Sequence, residues 1–304
     1  MDPAAPIFEP APEAASSPSV TGFFDPATST VSYLVADPAT GKAAIIDSVL
    51  DFDPKAGRVS TKSADALAEA AKDYAVEWIL ETHTHADHLS AAPYLKARLG
   101  GRIGIGAEIR GVQKTWADIF NLGPAFPADG SQFDRLFKDG DRFAIGTLGV
   151  TVWHVPGHTA ADLAYLVEGR SGLKHVFVGD TLFMPDYGTA RADFPGGDAR
   201  MLYRSIRRIL SLPAETKLYM CHDYQPGGRA PAWETTVAAQ RAENVHIKDG
   251  VDEDAFVAFR AARDKTLAAP TLILPSVQVN IRGGELPPSE SNGTIYLKIP
   301  VNRI

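Results

Sequence analysis

Apolar positions along the chain follow two rhythms, and their alternation sketches the architecture. Val31-Ser32-Tyr33-Leu34-Val35 and Ala43-Ala44-Ile45-Ile46 are β-rich runs parted by the turn cluster Asp37-Pro38-Ala39-Thr40-Gly41, so a hairpin is predicted. From Ser63 to Tyr74 the spacing changes: Ala64, Leu67, Ala68 and Ala71 recur at helical intervals, with Ser63 as the expected N-cap. Val76 to Leu80 is again strand-like. A second helix is expected from Ser90, as cap, to Leu99, with Pro93 in its first turn and Gly100-Gly101 ending it. A short strand over Arg102 to Gly106 and a helix over Ala107 to Phe120 follow, then a stretch of loop composition from Asn121 to Asp134.

Beyond Leu136 strand signals return, at Arg142 to Ile145, Val150 to Val155 and Leu163 to Glu168. Asp198 to Leu212 reads as a helix with Leu202, Ile206, Ile209 and Leu210 as its buried stripe. Two further helices are expected near Glu234 to His246 and Asp252 to Leu267, followed by an extended, Pro-rich tail from Pro270. No repeat is evident. The two strand-rich halves suggest the two sheets of a sandwich, and layer logic then places helices outside them. Residues 1–18, rich in Pro, Ala, Glu and Ser, read as a flexible tail. Residues 19–304 read as a single domain whose C-terminal part, from about 230, is helical and then extended.

Composition narrows the function classes. Across 304 residues, 45% hydrophobic and 22% charged content is that of an ordinary globular protein. A net charge of −7 argues against a nucleic-acid partner, which requires a clustered basic surface. One cysteine excludes an internal disulfide and fits a reducing compartment. No Lys or Arg precedes Lys42, so neither a secretory nor a mitochondrial leader is supported, and no apolar run reaches membrane-spanning length. A soluble, cytoplasmic protein without membrane contact is expected.

The chemistry concentrates in Thr82-His83-Thr84-His85-Ala86-Asp87-His88, where the strand ending at Leu80 gives way to helix. Two histidines two residues apart point to one side of an extended backbone, and a turn into helix would add Asp87 and His88. Nitrogen and carboxylate donors of this kind suit borderline divalent metals. Three further strand ends carry His or Asp: Pro156-Gly157-His158, Gly179-Asp180-Thr181 and Cys221-His222-Asp223-Tyr224. His154, His175 and His246 fit no such pattern and are read as structural. The donors suit two arrangements. Seven N/O ligands can hold two zinc ions bridged by Asp180, for metal-assisted hydrolysis; alternatively His83, His158 and Asp180 form a two-histidine, one-carboxylate face for a single iron(II) with open positions. Residue identity leaves both open. Cys221, next to His222 on a strand, is expected to face away from it and to be core. Arg229, Arg282 and Lys298 are read as solvated surface cations.

The ordered set, HxHxDH then His, Asp and His, resembles the metallo-β-lactamase superfamily. The stretches Thr82–Lys96, Gly179–Asp198 and Met220–Arg229, and the tail Leu274–Pro288, are most similar to the persulfide dioxygenases related to the ethylmalonic encephalopathy protein, in their bacterial β-lactamase-like hydrolase branch. The resemblance implies an α+β fold, an αββα sandwich of two mixed sheets flanked by helices. It implies one Fe(II) per subunit on His83, His158 and Asp180, with His85, Asp87, His88 and His222 as polar, non-ligating neighbours, or as ligands in a dinuclear centre. Asp47 is expected to support the metal loop, and Tyr224 to hydrogen-bond near the iron. Arg191, beside Asp193, and Tyr187, in the segment Met184–Gly188 that is longer than in the animal branch, are expected to bind substrate. Arg191 has a second reading, as a structural ion pair with Asp193. The implied reaction oxidises glutathione persulfide with O2 to sulfite and glutathione, in a homo-oligomer expected to be a dimer. Two alternatives stand beside it: a dinuclear zinc hydrolase of glyoxalase II or lactonase type, and a non-catalytic metal-binding module.

Overall fold

A computed structural model describes residues 17–303. The predicted tail, residues 1–18, therefore lies almost wholly outside the described residues. In chain order the elements are β1 (Ser19–Asp25), β2 (Thr30–Asp37), β3 (Lys42–Ile46), β4 (Val49–Asp53), β5 (Arg58–Ser60), α1 (Lys62–Ala71), β6 (Ala75–Leu80), β7 (Leu89–Ser90), α2 (Ala92–Leu99), β8 (Arg102–Gly106), α3 (Ile109–Ile119) and β9 (Arg135–Phe137). There follow β10 (Arg142–Ile145), β11 (Leu148–His154), β12 (Leu163–Glu168), β13 (Lys174–Phe177), α4 (Ala199–Ile209), β14 (Lys217–Tyr219), β15 (Glu234–Thr236), α5 (Val237–Glu243), α6 (Glu253–Asp264) and α7 (Ile273–Asn280).

Two mixed six-stranded sheets result, ordered β1-β2-β3-β6-β8-β9 and β10-β11-β12-β13-β14-β15. Their facing sides form one core, in which Val31, Tyr33, Ile46, Trp78 and Leu80 of the first meet Val150, Val152, Tyr165, Phe177 and Tyr219 of the second. The outer face of the first sheet is covered by α1 and α2 through Ala64, Leu67 and Leu95. The outer face of the second is covered by α4 and α6, with Leu202, Ile206, Ile209 and Phe256 buried. At roughly 2 kcal/mol for each fully buried aliphatic side chain, the stripe of α4 is a principal reason that this layer stays closed. This is the expected αββα sandwich. The β4–β5 hairpin stands apart from both sheets, in a small three-stranded sheet with β7.

Local chemistry explains where elements begin. Asp198 caps α4, its carboxylate accepting from the Arg200 and Met201 amides. Ser63 does not cap α1 as predicted: the helix starts one residue earlier, and the Ser63 amide and hydroxyl both donate to Asp51 of β4. The segment predicted as a helix from Glu234 opens instead as the edge strand β15, paired antiparallel with β14, before α5 begins. The tail from Pro270 is not simply extended. Ile273 to Asn280 is a largely buried helix, because its apolar residues pack with Trp116, Phe120 and Phe126 of the α3 region.

Candidate metal centre

The metal loop after β6 and the segments carrying His158, Asp180 and His222 come together in one cluster. Asp47, directly after β3, adopts a left-handed backbone (φ 53°) and sits behind the metal loop. Its carboxylate accepts from the Thr82 amide (2.7 Å) and hydroxyl (2.9 Å). From the opposite side, Asn280 of α7 donates to the His85 and His88 carbonyls (2.9 and 2.8 Å) and accepts from the Ser90 amide. Sequence reasoning missed Asn280 as a part of the site. Within the segment Ile273–Asn280, Asn280 is one of two amides, with Gln278, and nothing local set it apart. Thr30 was missed too; its hydroxyl donates to Asp87 and also contacts His88.

Two glycines set the remaining ligands. Gly157, before His158, has φ 146°, and a Cβ there would lie 2.3 Å from the Leu202 backbone, so the chain passes tightly against α4. Gly179, before Asp180, has φ 53°, and a Cβ there would lie 2.8 Å from the Thr82 hydroxyl. The turn after His158 is tied by Asp162, which accepts from the Thr159 amide and hydroxyl; burial pushes this carboxyl up to about 6.

The structure brings together the predicted ligands. His83 Nε2 and His158 Nε2 lie 3.8 and 3.4 Å from Asp180 Oδ2, while His222 Nε2 lies 3.3 Å from Asp180 Oδ1. On His83 and His158 the other ring nitrogen is engaged, Nδ1 with the Thr82 hydroxyl (3.0 Å) and with the Arg191 carbonyl (2.9 Å). That leaves Nε2 of each for an incoming ion. The fit to a metal rests on buried polar atoms without a hydrogen-bond partner: His83 Nε2, His85 Nδ1, His88 Nε2, His222 Nε2 and Asp180 Oδ1 all belong to this set. Such atoms are costly unless something else satisfies them. The donor set is that of a metal centre, with His83, His158 and Asp180 forming one compact group.

The histidines differ in charge state. His83 is driven well below the usual imidazole range by burial and then by its neighbours His85 and His158. For His85, burial acts downward, yet Asp47 (3.0 Å) and Glu81 (3.3 Å) on its Nε2 raise it well above that range. Asp87 resists the upward push of burial because His222 and His88 hold it well below the carboxylate range.

A cavity of about 730 Å³ opens above the centre, with Asp87, His158 and Asp180 at its floor. One wall is the β4–β5 hairpin, with Phe52 and Arg58. Arg260 and Arg263 of α6 also line it. Tyr224 stacks on Tyr187 (4.6 Å between ring centres) and shares its side with His222, as the sequence suggested. Desolvation, then Asp180 and Asp87, keep its phenol neutral by pushing it well above the usual range. Arg191 lines the cavity, but its guanidinium is already forked onto Asp193 (2.6 and 2.8 Å) and bonded to the Ala268 carbonyl. The ion pair of Arg191 with Asp193 is therefore present, on a residue that lines the cavity.

Several sequence readings are corrected. Cys221 does not turn away from His222: its sulfur lies within 4.8 Å of the His222 and Asp180 donor atoms, because β14 ends at Tyr219 and strict alternation ends with it. Arg229 is not a solvated cation but is forked between Asp186 and Asp223, and Lys298 donates to the Phe120 and Asn121 carbonyls. Arg282 lies over the Phe126 ring. His154, His175 and His246 are structural as read, paired with the Ala160 carbonyl, the Tyr219 hydroxyl and the Thr189 amide.

An αββα sandwich with buried His and Asp donors at one sheet edge defines a metal-dependent enzyme scaffold. Residues 25–222 match the family described as metallo-beta-lactamase superfamily, and the chain belongs to it. It is 60% identical to a probable metallo-hydrolase of Burkholderia pseudomallei over 94% of this chain and all of that one. A beta-lactamase hydrolase-like protein of Agrobacterium fabrum is 53% identical, with 95% of this chain matching 66% of that longer protein. Persulfide dioxygenase ETHE1 of Bos taurus is 27% identical over 88% of this chain and 89% of its own. Among solved structures, ETHE1 from Myxococcus xanthus superposes with a TM-score of 0.68 at 28% identity, covering 88% of this chain and 100% of that chain. No described helix is long and apolar enough to cross a membrane.

Proposed function

We propose that the chain is a persulfide dioxygenase that holds one iron(II) on His83, His158 and Asp180. The observation that carries this reading is the compact two-histidine, one-carboxylate group, of which His158 and Asp180 line the cavity. The whole-length likeness to two ETHE1 proteins supports it.

When bound there, iron(II) supplies open positions at which a persulfide sulfur and dioxygen meet. The protein's share is orientation. Phe183, Tyr187, Phe194 and Tyr224 give the cavity an apolar lining for the disulfide sulfurs. Arg58 and Arg263 line the cavity and offer charge to the carboxylates of a peptide thiol such as glutathione. The neutral Tyr224 phenol lines the cavity and is available as a hydrogen-bond donor to a bound substrate. The balanced conversion is RSSH + O2 + H2O to RSH + sulfite + two protons.

A second reading is a dinuclear zinc hydrolase. What favours it is the division of Asp180, whose two oxygens face separate histidine groups, together with a relative named as a metallo-hydrolase. Oxygen uptake by the iron-loaded chain on adding glutathione persulfide separates the two. Uptake with sulfite formed, lost in His83→Ala, is the expected result. Zinc-dependent cleavage of a thioester or lactone, with no uptake by iron-loaded protein, would overturn it.

A further inference from the structure

One guanidinium joins the two loops that carry the stacked tyrosines of the cavity. Arg229 is forked twice: Nε and Nη2 donate to Asp186 (2.6 and 2.9 Å), while Nη1 and Nη2 donate to Asp223 (2.7 Å each). Asp186 directly precedes Tyr187, and Asp223 directly precedes Tyr224. A planar guanidinium can serve two carboxylates at once because its donors are fixed in a fork, whereas an ammonium offers a single point of charge. Both ends of the fork are anchored. The Asp223 side chain is fully buried and also accepts from the Ala232 amide (2.8 Å). On the other side, the Gly188 amide donates to the Met184 carbonyl and the Phe183 amide to the Gly188 carbonyl, which closes the segment around Asp186 into a tight turn. That turn ends against α5's neighbour His246: Gly188 has φ 105°, and a Cβ there would lie 2.1 Å from the His246 ring.

The tyrosines that these loops present pack as a unit. Tyr187 and Tyr224 lie face to face, 4.6 Å between ring centres and 28° between planes, and Phe183 stands edge-on to both, at 5.8 and 5.5 Å. All three line the cavity, and Arg229 itself does not. We propose that Arg229 is a positioning residue: by stapling Asp186 to Asp223 it holds Tyr187 against Tyr224 and fixes the direction of the Tyr224 phenol in the substrate space. The proposal rests on the reading of Tyr224 as a hydrogen-bond donor to bound substrate. A donor that must be oriented at the moment of reaction loses rate when it is left to rotate, even though the residue itself is intact.

Arg229→Ala would leave Asp223 buried without its cation, so the test uses Arg229→Lys, which keeps the charge and removes the fork, and Tyr187→Ala, which removes the stacking partner alone. Oxygen uptake per bound iron should fall about tenfold in each, and Tyr187→Phe should recover most of the loss seen in Tyr187→Ala. In a Tyr224→Phe background, Arg229→Lys should cost nothing further, because it acts through the phenol. Equal losses in both backgrounds, or wild-type rates in Arg229→Lys, would overturn the proposal. A second readout is independent of turnover. In the full-length chain loaded with diamagnetic zinc and carrying ring-labelled tyrosine, the Tyr187 and Tyr224 signals, assigned with the phenylalanine variants, should move in Arg229→Lys while those of the core residues Tyr33 and Tyr165 stay in place. Unmoved stack signals would overturn the staple. Wild-type protein without oxygen uptake would sink the dioxygenase reading instead, and the ring signals would then decide the positioning on their own.

Discussion

The two sides of the centre are built from the same residue types and are prepared differently. On one side, His83 and His158 are oriented by uncharged partners, a hydroxyl and a carbonyl, and their free nitrogens meet Asp180 Oδ2. On the other, His85 is held between Asp47 and Glu81, and His88 and His222 both lie within 3.5 Å of Asp87. The lesson is that a histidine's role is set by what grips its second nitrogen. A hydroxyl and a carbonyl orient His83 and His158 without adding charge, whereas the two carboxylates on His85 Nε2 stabilise its imidazolium in the metal-free protein and make the free Nδ1 the more basic donor once its proton is displaced.

Asp180 joins the two sides, so its removal is the severest test. Asp180→Ala should weaken iron binding by at least about 100-fold and abolish turnover, as read by metal analysis after gel filtration and by oxygen uptake. Retained iron with turnover would mean that Asp180 does not hold the ion. Asn280→Ala probes one side only. It leaves the His85 and His88 carbonyls and the Ser90 amide without their buried partner, at a cost of about 2–4 kcal/mol in unfolding free energy. Denaturant unfolding measures that loss. Iron on His83, His158 and Asp180 should survive it, because none of those three touches Asn280. Loss of iron would show that the two sides are mechanically one.

Much of this arrangement was legible in the chain. The strand-ending positions of His83, His158, Asp180 and His222, and the sandwich that gathers them, follow from alternating apolar runs and local turn signals. Asn280 and Thr30 were hidden because their partners lie 192 and 57 residues away, and nothing in the local pattern couples them. Cys221 was misjudged for a related reason: period-two alternation holds only while a residue stays within a strand, and β14 stops two residues short of it. The Arg191 pair with Asp193, two residues apart, was readable from sequence.

A smaller effect tests the role of carboxylates directly. Glu81→Gln removes one of the two charges on His85 Nε2, so the imidazolium of the metal-free protein should lose its proton at lower pH. Ring-proton NMR titration reads this. An unchanged titration would assign the whole effect to Asp47.

The smallest expected effect comes from a histidine with no carboxylate at all. His246 accepts from the Thr189 amide, and burial, then Arg260 and Arg263, lower it to about 4. The sign is opposite to that of His85. Between the ordinary imidazole value and about 4 the unfolded chain binds a proton that the folded chain refuses, so stability from His246 is present above that window and is lost as pH falls through it. For His85, raised in the folded metal-free state, the contribution is full below the ordinary imidazole value and is lost as pH rises through the folded one. His246→Gln should therefore flatten the acid slope of stability while leaving the alkaline side unchanged, as measured by denaturant unfolding at stepped pH. An acid slope identical to the wild type would mean that the arginines and burial do not act on His246 as the geometry indicates, and the contrast between cation-flanked and carboxylate-flanked histidines would then rest on the metal centre alone.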